Sequence, residues 1–587
     1  DEEVAVTDDG ALRVTLGPLE GKVLLRRRWP GGAGGRGGGA LAADRSVASM
    51  PSAAESPIAA WPSAASLTDA WSSIASPSAG HSTASPSSHA AGGHGLGHAV
   101  FDRRSSGILL PVTALPSPFG IGDFGEAAYR FVDFLADAGQ TWWQMLPIHP
   151  FGLGNSPYLS ASAFAGSSLL IDPAALVADG LLDEADPVDR PAFREDRVEY
   201  GRVAAWKDGV LRRAFANFRR REAPADYRAF LDEERWWLDD YALFEALRRH
   251  FRGRKWHEWP KSLARRDPAA LTRYRERLAD EIAYQMFVQY LFFRQWRRLK
   301  AYAAGRGVRI IGDIPLFVGH DSCDVWANAH LFELDEAGLP RRVAGVPPDD
   351  FSAEGQRWGS LLYDWAKMKE DGYDWWKKRL GHLFGMMDLV RLDHFRGFEA
   401  YWAIPAEEPT AVNGKWEPGP GEDFFIELER TFGKLPVYAE DLGIITPEVE
   451  ELKWRFAFPG TKVWQFLASP HGGKYRFPLR EANNVLYTGT HDNDTALGWL
   501  RTARPDLDGA EAEAAVWELI GAVYRTHAKI VIVPLQDCLC LGSEARFNVP
   551  GTPEGNWEWR TPEDAFGPEL ARRLAALANA CERGNGR

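Results

Sequence analysis

The sequence predicts an α/β protein built on a (β/α)8 barrel, a TIM barrel with mostly helical insertions. Three observations predict it. Short apolar runs recur along the chain, each ending near polar residues or glycine. A helix-like segment follows each run, as in βα units of a parallel sheet. Acidic clusters fall at the ends of several runs, where such a barrel gathers its reactive groups.

The elements follow in chain order. Residues 1–30 alternate apolar and polar side chains around Leu12, Val14 and Leu16, turn at 18–21 and resume at Val23-Leu24-Leu25. That pattern is a β-hairpin with too little surface to stand alone. Residues 31–98 are mostly Ala, Ser, Gly and Pro. Such a stretch cannot offset its own ordering entropy and is expected to be a disordered linker. A catalytic domain is expected over 99–585. Its strand candidates are 107–110, 142–147, 308–313, 389–393, 437–440, 462–466 and 485–488. Between the second and third, residues 174–300 are charged and amphipathic, with periodic aromatics such as Phe215, Phe218, Trp236, Tyr241 and Phe244. They predict a helical insertion. Its last helix is expected to stop at Gly305, a C-cap before the strand at 308.

Composition narrows the function. The net charge of −13 argues against a nucleic-acid or anionic-membrane partner. No apolar run is long enough to span a membrane. Four cysteines with no metal-site spacing suit a reducing cytoplasm, and no metal site is expected. The chain starts Asp1-Glu2-Glu3 without an initiator Met, as expected of a fragment or a processed product. Twenty-four tryptophans are many for this length. Indole faces stack on sugar rings, so they fit a carbohydrate protein, although most individual tryptophans are expected to fill core.

Three segments carry chemistry. In Arg391-Leu392-Asp393-His394-Phe395-Arg396, a carboxylate between two arginines is favoured as the anion, so Asp393 is a candidate nucleophile. In Ala439-Glu440-Asp441-Leu442-Gly443, burial and a nearby negative charge would let Glu440 keep its proton and serve as the acid. In Thr490-His491-Asp492-Asn493-Asp494, Asp492 supplies a third carboxylate. About one βα unit separates each from the next, which places all three on neighbouring strands at one mouth. Cleaving a glycosidic bond needs a nucleophile or base and an acid on opposite sides of the anomeric carbon. Together the three fit that requirement.

These segments resemble the signature regions of the α-amylase clan, and the full set resembles amylomaltase, also called 4-α-glucanotransferase. The likeness runs over roughly 100–580. It includes Gly107-Ile108-Leu109-Leu110-Pro111, Asn155-Ser156-Pro157-Tyr158, Gly312-Asp313-Ile314-Pro315 and Gly345-Val346-Pro347-Pro348-Asp349. It continues through Gly355-Gln356-Arg357-Trp358-Gly359 and closes with Ala545-Arg546, Asn548, Pro550-Gly551-Thr552 and Gly555-Asn556-Trp557. The resemblance implies Asp393 as nucleophile, Glu440 as acid/base and Asp492 as the carboxylate that steadies the distorted sugar. It implies Asp313, Arg391, His394 and His491 around that sugar, and Tyr158, Asp349, Gln356 and Trp358 as glucan contacts.

The implied reaction is a retaining double displacement. It moves α-1,4-glucan segments from malto-oligosaccharides, or from starch- or glycogen-derived glucans, to the 4-hydroxyl of an acceptor such as glucose. Neither step needs a metal or an organic cofactor. A retaining hydrolase with the same trio is the alternative, and a non-catalytic glucan-binding protein is a third reading, against which the intact trio argues. The chain departs from the family at Trp358-Gly359-Ser360-Leu361-Leu362-Tyr363, where Asn-Pro is usual after Trp-Gly. The loss of proline is expected to loosen that loop and alter acceptor preference. His149 also stands where the family often has glycine. Residues 1–30 resemble the closing strands of an α-amylase-type β-domain, which leaves two readings open, a covalent fusion to an upstream glucan-active enzyme and a spurious or decayed extension.

Overall fold

The computed structural model describes residues 4–6, 12–14, 101–349, 352–468, 481–552 and 554–585. Two compact units are distinguished, Asp1–Asp69 and Ala70–Arg587. In the first, Val4–Val6 pairs antiparallel with Leu12–Val14. This ladder lies one turn upstream of the expected hairpin, whose second strand at 23–25 is outside the described residues, as is the expected linker at 31–98.

In the second unit eight parallel strands form the barrel. They are β1 (Ser105–Leu109), β2 (Trp142–Gln144), β3 (Arg309–Ile314), β4 (Leu389–Leu392), β5 (Val437–Ala439), β6 (Gly460–Val463), β7 (Asn484–Tyr487) and β8 (Ile530–Pro534). The order across the sheet is β5-β4-β3-β2-β1-β8-β7-β6. Between β5 and β6 the ring closes through the Ala439 N–H on the Pro459 carbonyl (2.8 Å) and the Thr461 hydroxyl on the Ala439 carbonyl (2.9 Å).

Alternation along each strand sorts its side chains. Leu389, Ile311, Tyr438, Tyr487, Ile530 and Ile532 belong to one buried cluster inside the ring. Val390, Leu392, Val531 and Val533 belong to the larger core against the helices. The period of two therefore carries Leu389, Arg391 and Asp393 inward in turn. Asp313 and Arg391 are direct partners across β3 and β4, and Tyr438 sits opposite Arg391 across β5 and β4. Register alone thus puts a carboxylate and a guanidinium side by side near the mouth.

The insertion is helical as expected: Tyr200–Phe218, Ala225–His250 and Ala279–Gly305 are its long members. Phe218, Tyr241 and Phe244 are buried there, whereas Trp236 is 44% exposed. One buried cation docks the insertion to the barrel. Lys207 donates from its ammonium to Asp123 (3.2 Å) and to the carbonyls of Leu169 (2.6 Å) and Ile171 (2.9 Å).

Three expectations need correction. The long helix includes Gly305, and the left-handed residue that ends it is Gly307 (φ +74°), whose N–H caps Ala304 at 3.0 Å. The strand expected at 462–466 runs from Gly460 to Val463. Trp464 then starts a helical turn, closed by the Ala468 N–H on its carbonyl at 2.9 Å. The 358–363 segment is not loosened. The N–H of Leu361, which proline would lack, donates to the Val318 carbonyl at 3.0 Å, and Leu361 also pairs with Val343. It is the end of a strand, Gln356–Leu361, in a four-stranded side sheet with Arg342–Val346, Ala400–Pro405 and Lys415–Pro418. His149 proves to be a buried prop, its Nδ1 2.8 Å from the Ala165 carbonyl. Burial holds its ring at about 4, hence neutral.

Candidate active site

The mouth of the barrel collects the three acidic segments. Asp393 follows β4 directly, and its N–H extends the ladder to the Ile314 carbonyl (3.1 Å). Its Oδ1 lies 2.8 Å from Nη1 of Arg391, and its side chain keeps 26% exposure, so the carboxylate is fixed yet reachable. The same Nη1 reaches both oxygens of Asp313, at 3.0 and 2.9 Å. Arg391 is buried, and one guanidinium nitrogen therefore serves two carboxylates.

His394 takes a left-handed backbone (φ +50°), a cost accepted for what it aims. Its N–H donates to Oε2 of Glu440 at 2.9 Å, while the Leu442 N–H donates to Oε1 at 2.9 Å. Burial pushes the Glu440 carboxyl up to about 7, and the Asp393 charge adds to this against the opposing pull of Arg391. Near neutrality Glu440 therefore holds a proton beside an ion-paired Asp393. Burial holds the His394 ring down at about 4, so it is neutral, and its buried Nε2 has no hydrogen-bond partner.

The third segment leaves β7, not the strand next to Glu440 as its spacing suggested, because β6 (Gly460–Val463) stands between them. The Asn548 amide donates to Oδ1 of Asp492 at 2.6 Å, and Nε2 of His491 lies 3.4 Å from Oδ2. Burial pushes Asp492 up, but His491 and Asn548 outweigh it and hold the carboxyl well below its ordinary range. The converse holds for His491: burial pushes it down, and Asp492 reverses this and raises it. Tyr158 joins the segments. Its hydroxyl donates to Asp313 (2.9 Å), lies 2.9 Å from Nε2 of His491, and its ring stacks on that imidazole at 5.3 Å.

The structure thus connects Asp313, Arg391, Asp393, His394 and Glu440 in one network, and Tyr158 links it to His491 and Asp492. Trp358 meets the His394 ring edge-on at 4.8 Å, and its indole N–H donates to Gln356 at 3.1 Å. Asp349 is exposed, and its described contacts close its own loop on Ser352, whose N–H it accepts at 2.8 Å.

Residues 545–557 hold contacts to the site that their sequence does not announce. Beyond Asn548, the Arg546 guanidinium donates to the Asp492 carbonyl at 2.9 Å. Trp557 stands 5.9 Å from both the Tyr158 and His491 rings, in a left-handed backbone (φ +65°). Its carbonyl accepts the Tyr200 hydroxyl at 2.7 Å, a bond from the helical insertion. The clustering of Asn, Gly and Pro there signalled a constrained loop, and only the fold shows what it constrains.

Comparison with known proteins agrees with this geometry. A family model described as 4-alpha-glucanotransferase matches residues 110–564. A Thermus thermophilus protein named 4-alpha-glucanotransferase is 46% identical over 504 residues, covering 82% of this chain and 99% of that protein. One of the same name from Synechocystis is 46% identical over 493 residues, with 81% and 98% covered. Among solved structures, the amylomaltase of Streptococcus agalactiae in complex with acarbose superposes with a TM-score of 0.77 at 37% identity, covering 82% of this chain and all of that one.

Proposed function

The chain belongs to the 4-alpha-glucanotransferase family, and from that premise we propose that Asp393 is the nucleophile, Glu440 the acid/base and Asp492 the third carboxylate of a retaining transfer. The activity is that of the family: α-1,4-glucan segments move from a donor to an acceptor glucan.

One observation carries the assignment. The Arg391 guanidinium pairs with Asp393 at 2.8 Å, while Glu440, held by the His394 N–H at 2.9 Å, has its carboxyl pushed up to about 7 by burial. Glu440 gives its proton to the glycosidic oxygen while Asp393 attacks the anomeric carbon, and the leaving glucan departs with that proton. The 4-hydroxyl of a second glucan then attacks the same carbon, yielding its proton to Glu440 and freeing Asp393. Two inversions retain the α configuration. Asp492 remains an anion beside this carbon and offsets the charge that develops on it. Asp313, His491 and Tyr158 bind and orient that sugar. Trp358, Gln356 and Asp349 serve the acceptor side, where a bound sugar takes the place of water.

Malto-oligosaccharides and starch- or glycogen-derived glucans are the proposed substrates, with glucose among the acceptors. A cytoplasmic setting is part of the proposal. The four cysteines are free, and among the described residues no helix is long and apolar enough to cross a membrane. Incubation with maltotriose tests the reading: glucose and a ladder of longer products form with the native chain and vanish with Asp393→Asn. Shorter products alone would make the protein a hydrolase. A surviving ladder in the variant would remove Asp393 from the chemistry.

A further inference from the structure

The loop that carries His491 and Asp492 runs from Thr488 to Thr495, between β7 and the helix Ala496–Arg501. Both of its ends meet one side chain. Asp537 lies in the short helix Leu535–Cys538 immediately after β8, and its carboxylate is 1% exposed. Its Oδ2 accepts the Thr488 hydroxyl at 2.5 Å, and its Oδ1 accepts the Ala496 N–H at 2.6 Å. Thr488 is itself fully buried. No strand pairing reaches this loop, since the β7–β8 register ends at Tyr487 and Ile532.

Within the loop, further bonds fix its shape. The Asn493 side chain accepts from the Thr490 N–H (2.9 Å) and hydroxyl (2.8 Å). Gln465 donates to the Asp494 carbonyl at 2.7 Å. Arg546 on the Asp492 carbonyl (2.9 Å) and Ser543 on Asp494 (2.8 Å) hold its middle, whereas among the described residues the Asp537 carboxylate is what bonds to both of its ends. The Asn548 amide can meet Asp492 at 2.6 Å only while both stay in register.

We infer that Asp537 is a positioning residue for glucan transfer, a staple across both ends of the loop that presents His491 and Asp492. The inference rests on the reading of Asp492 as the third carboxylate. Burial pushes the Asp537 carboxyl up to about 6, against the pull of its two donors. Loss of the staple lets the loop shift, and a displacement of about 1 Å at such a site costs on the order of a hundredfold in rate.

The test compares Asp537→Ala with Asp537→Asn on maltotriose, at a temperature where circular dichroism shows each variant folded. Alanine removes both acceptors, and kcat is expected to fall at least about tenfold while KM stays within about threefold. Asparagine can accept from Ala496 and donate to the Thr488 oxygen, so it is expected to restore most of kcat. Native kcat in folded Asp537→Ala overturns the inference, as does a loss that merely tracks the folded fraction. An asparagine variant as slow as alanine overturns it too, because charge and not the staple would then be at work. Should Asp537→Ala not fold, Thr488→Val removes one of the two bonds: a lowered kcat that Thr488→Ser recovers supports the staple, and an unchanged one refutes it. Asp492→Asn, which removes the carboxylate the staple presents, separates the two readings. An inactive Asp492→Asn beside a native-like Asp537→Ala overturns the staple alone, and a fully active Asp492→Asn overturns the site assignment beneath it.

Discussion

Replacing Glu440 with glutamine removes one titrating proton from the site while keeping its shape, and the consequence for stability can be worked out. The ordinary value of the carboxyl is 4.5, and burial in the fold raises it to about 7. Below 4.5 the group is protonated in both folded and unfolded chains and contributes no difference. Between 4.5 and about 7 the unfolded chain has lost the proton and the folded chain still holds it. The folded state then binds more protons, so stability falls as pH rises through this window and levels off above it. At about 1.4 kcal/mol per pH unit, the window amounts to about 3 kcal/mol. The glutamine variant lacks this slope. The assay is urea unfolding of both proteins at pH 4.5 and pH 8. Glutamine also disturbs the bonds from His394 and Leu442, but that offset is the same at both pH values and cancels in the double difference. The variant is expected to gain about 3 kcal/mol on the native chain between the two. A double difference under about 1 kcal/mol would refute the reasoning, and one of opposite sign would show Arg391 stabilising a Glu440 anion. The same proton sets the alkaline limb of kcat/KM, expected near pH 7.

Two other predictions follow from the described contacts. Asp492 is what raises His491 against its burial, so Asp492→Asn is expected to carry that imidazole from above its ordinary value to below it; an unmoved His491 resonance in an NMR titration, assigned by its loss in His491→Asn, would contradict this. Lys207→Met leaves Asp123 and two carbonyls without their buried ammonium, and it is expected to cost about 3–5 kcal/mol in chemical denaturation; a loss below about 1 kcal/mol would mean that the insertion docks by apolar packing alone.

Legibility in the sequence followed the range of the interactions involved. Arg391 and Asp393 could be found because alternation along a strand is local, and β4 alternates cleanly. Glu440 stood out as a candidate acid because the burial of a strand end is expected of any barrel. The eighth strand, Ile530–Pro534, was missed although it is a plain apolar run. The side sheet was missed as well. Its strands lie in segments rich in Gly and Pro that also match loops, and their pairing joins Arg342–Val346 to Ala400–Pro405 across more than fifty residues. Asn548, Trp557 and Asp537 act on residues they meet only through the ring of strands. Nothing near them in the chain announces a role. The proline departure was visible, but its effect was misjudged: Leu361 has a partner in Val318 that no local rule supplies.

The sharing of Arg391 between neighbouring carboxylates bears on how charge moves through the reaction. In the proposed cycle Asp393 brings the attacking charge and Glu440 the transferred proton. Once the covalent ester has formed, Asp393 is neutral and Glu440 has become the anion. The charge has crossed from one side chain to another, yet the total within the pocket is unchanged. Arg391 exerts its pull on both, in direct contact with the first and through space with the second. The counter-ion therefore stays in place while the anion changes sides, and neither solvent nor a mobile side chain has to rearrange to follow it.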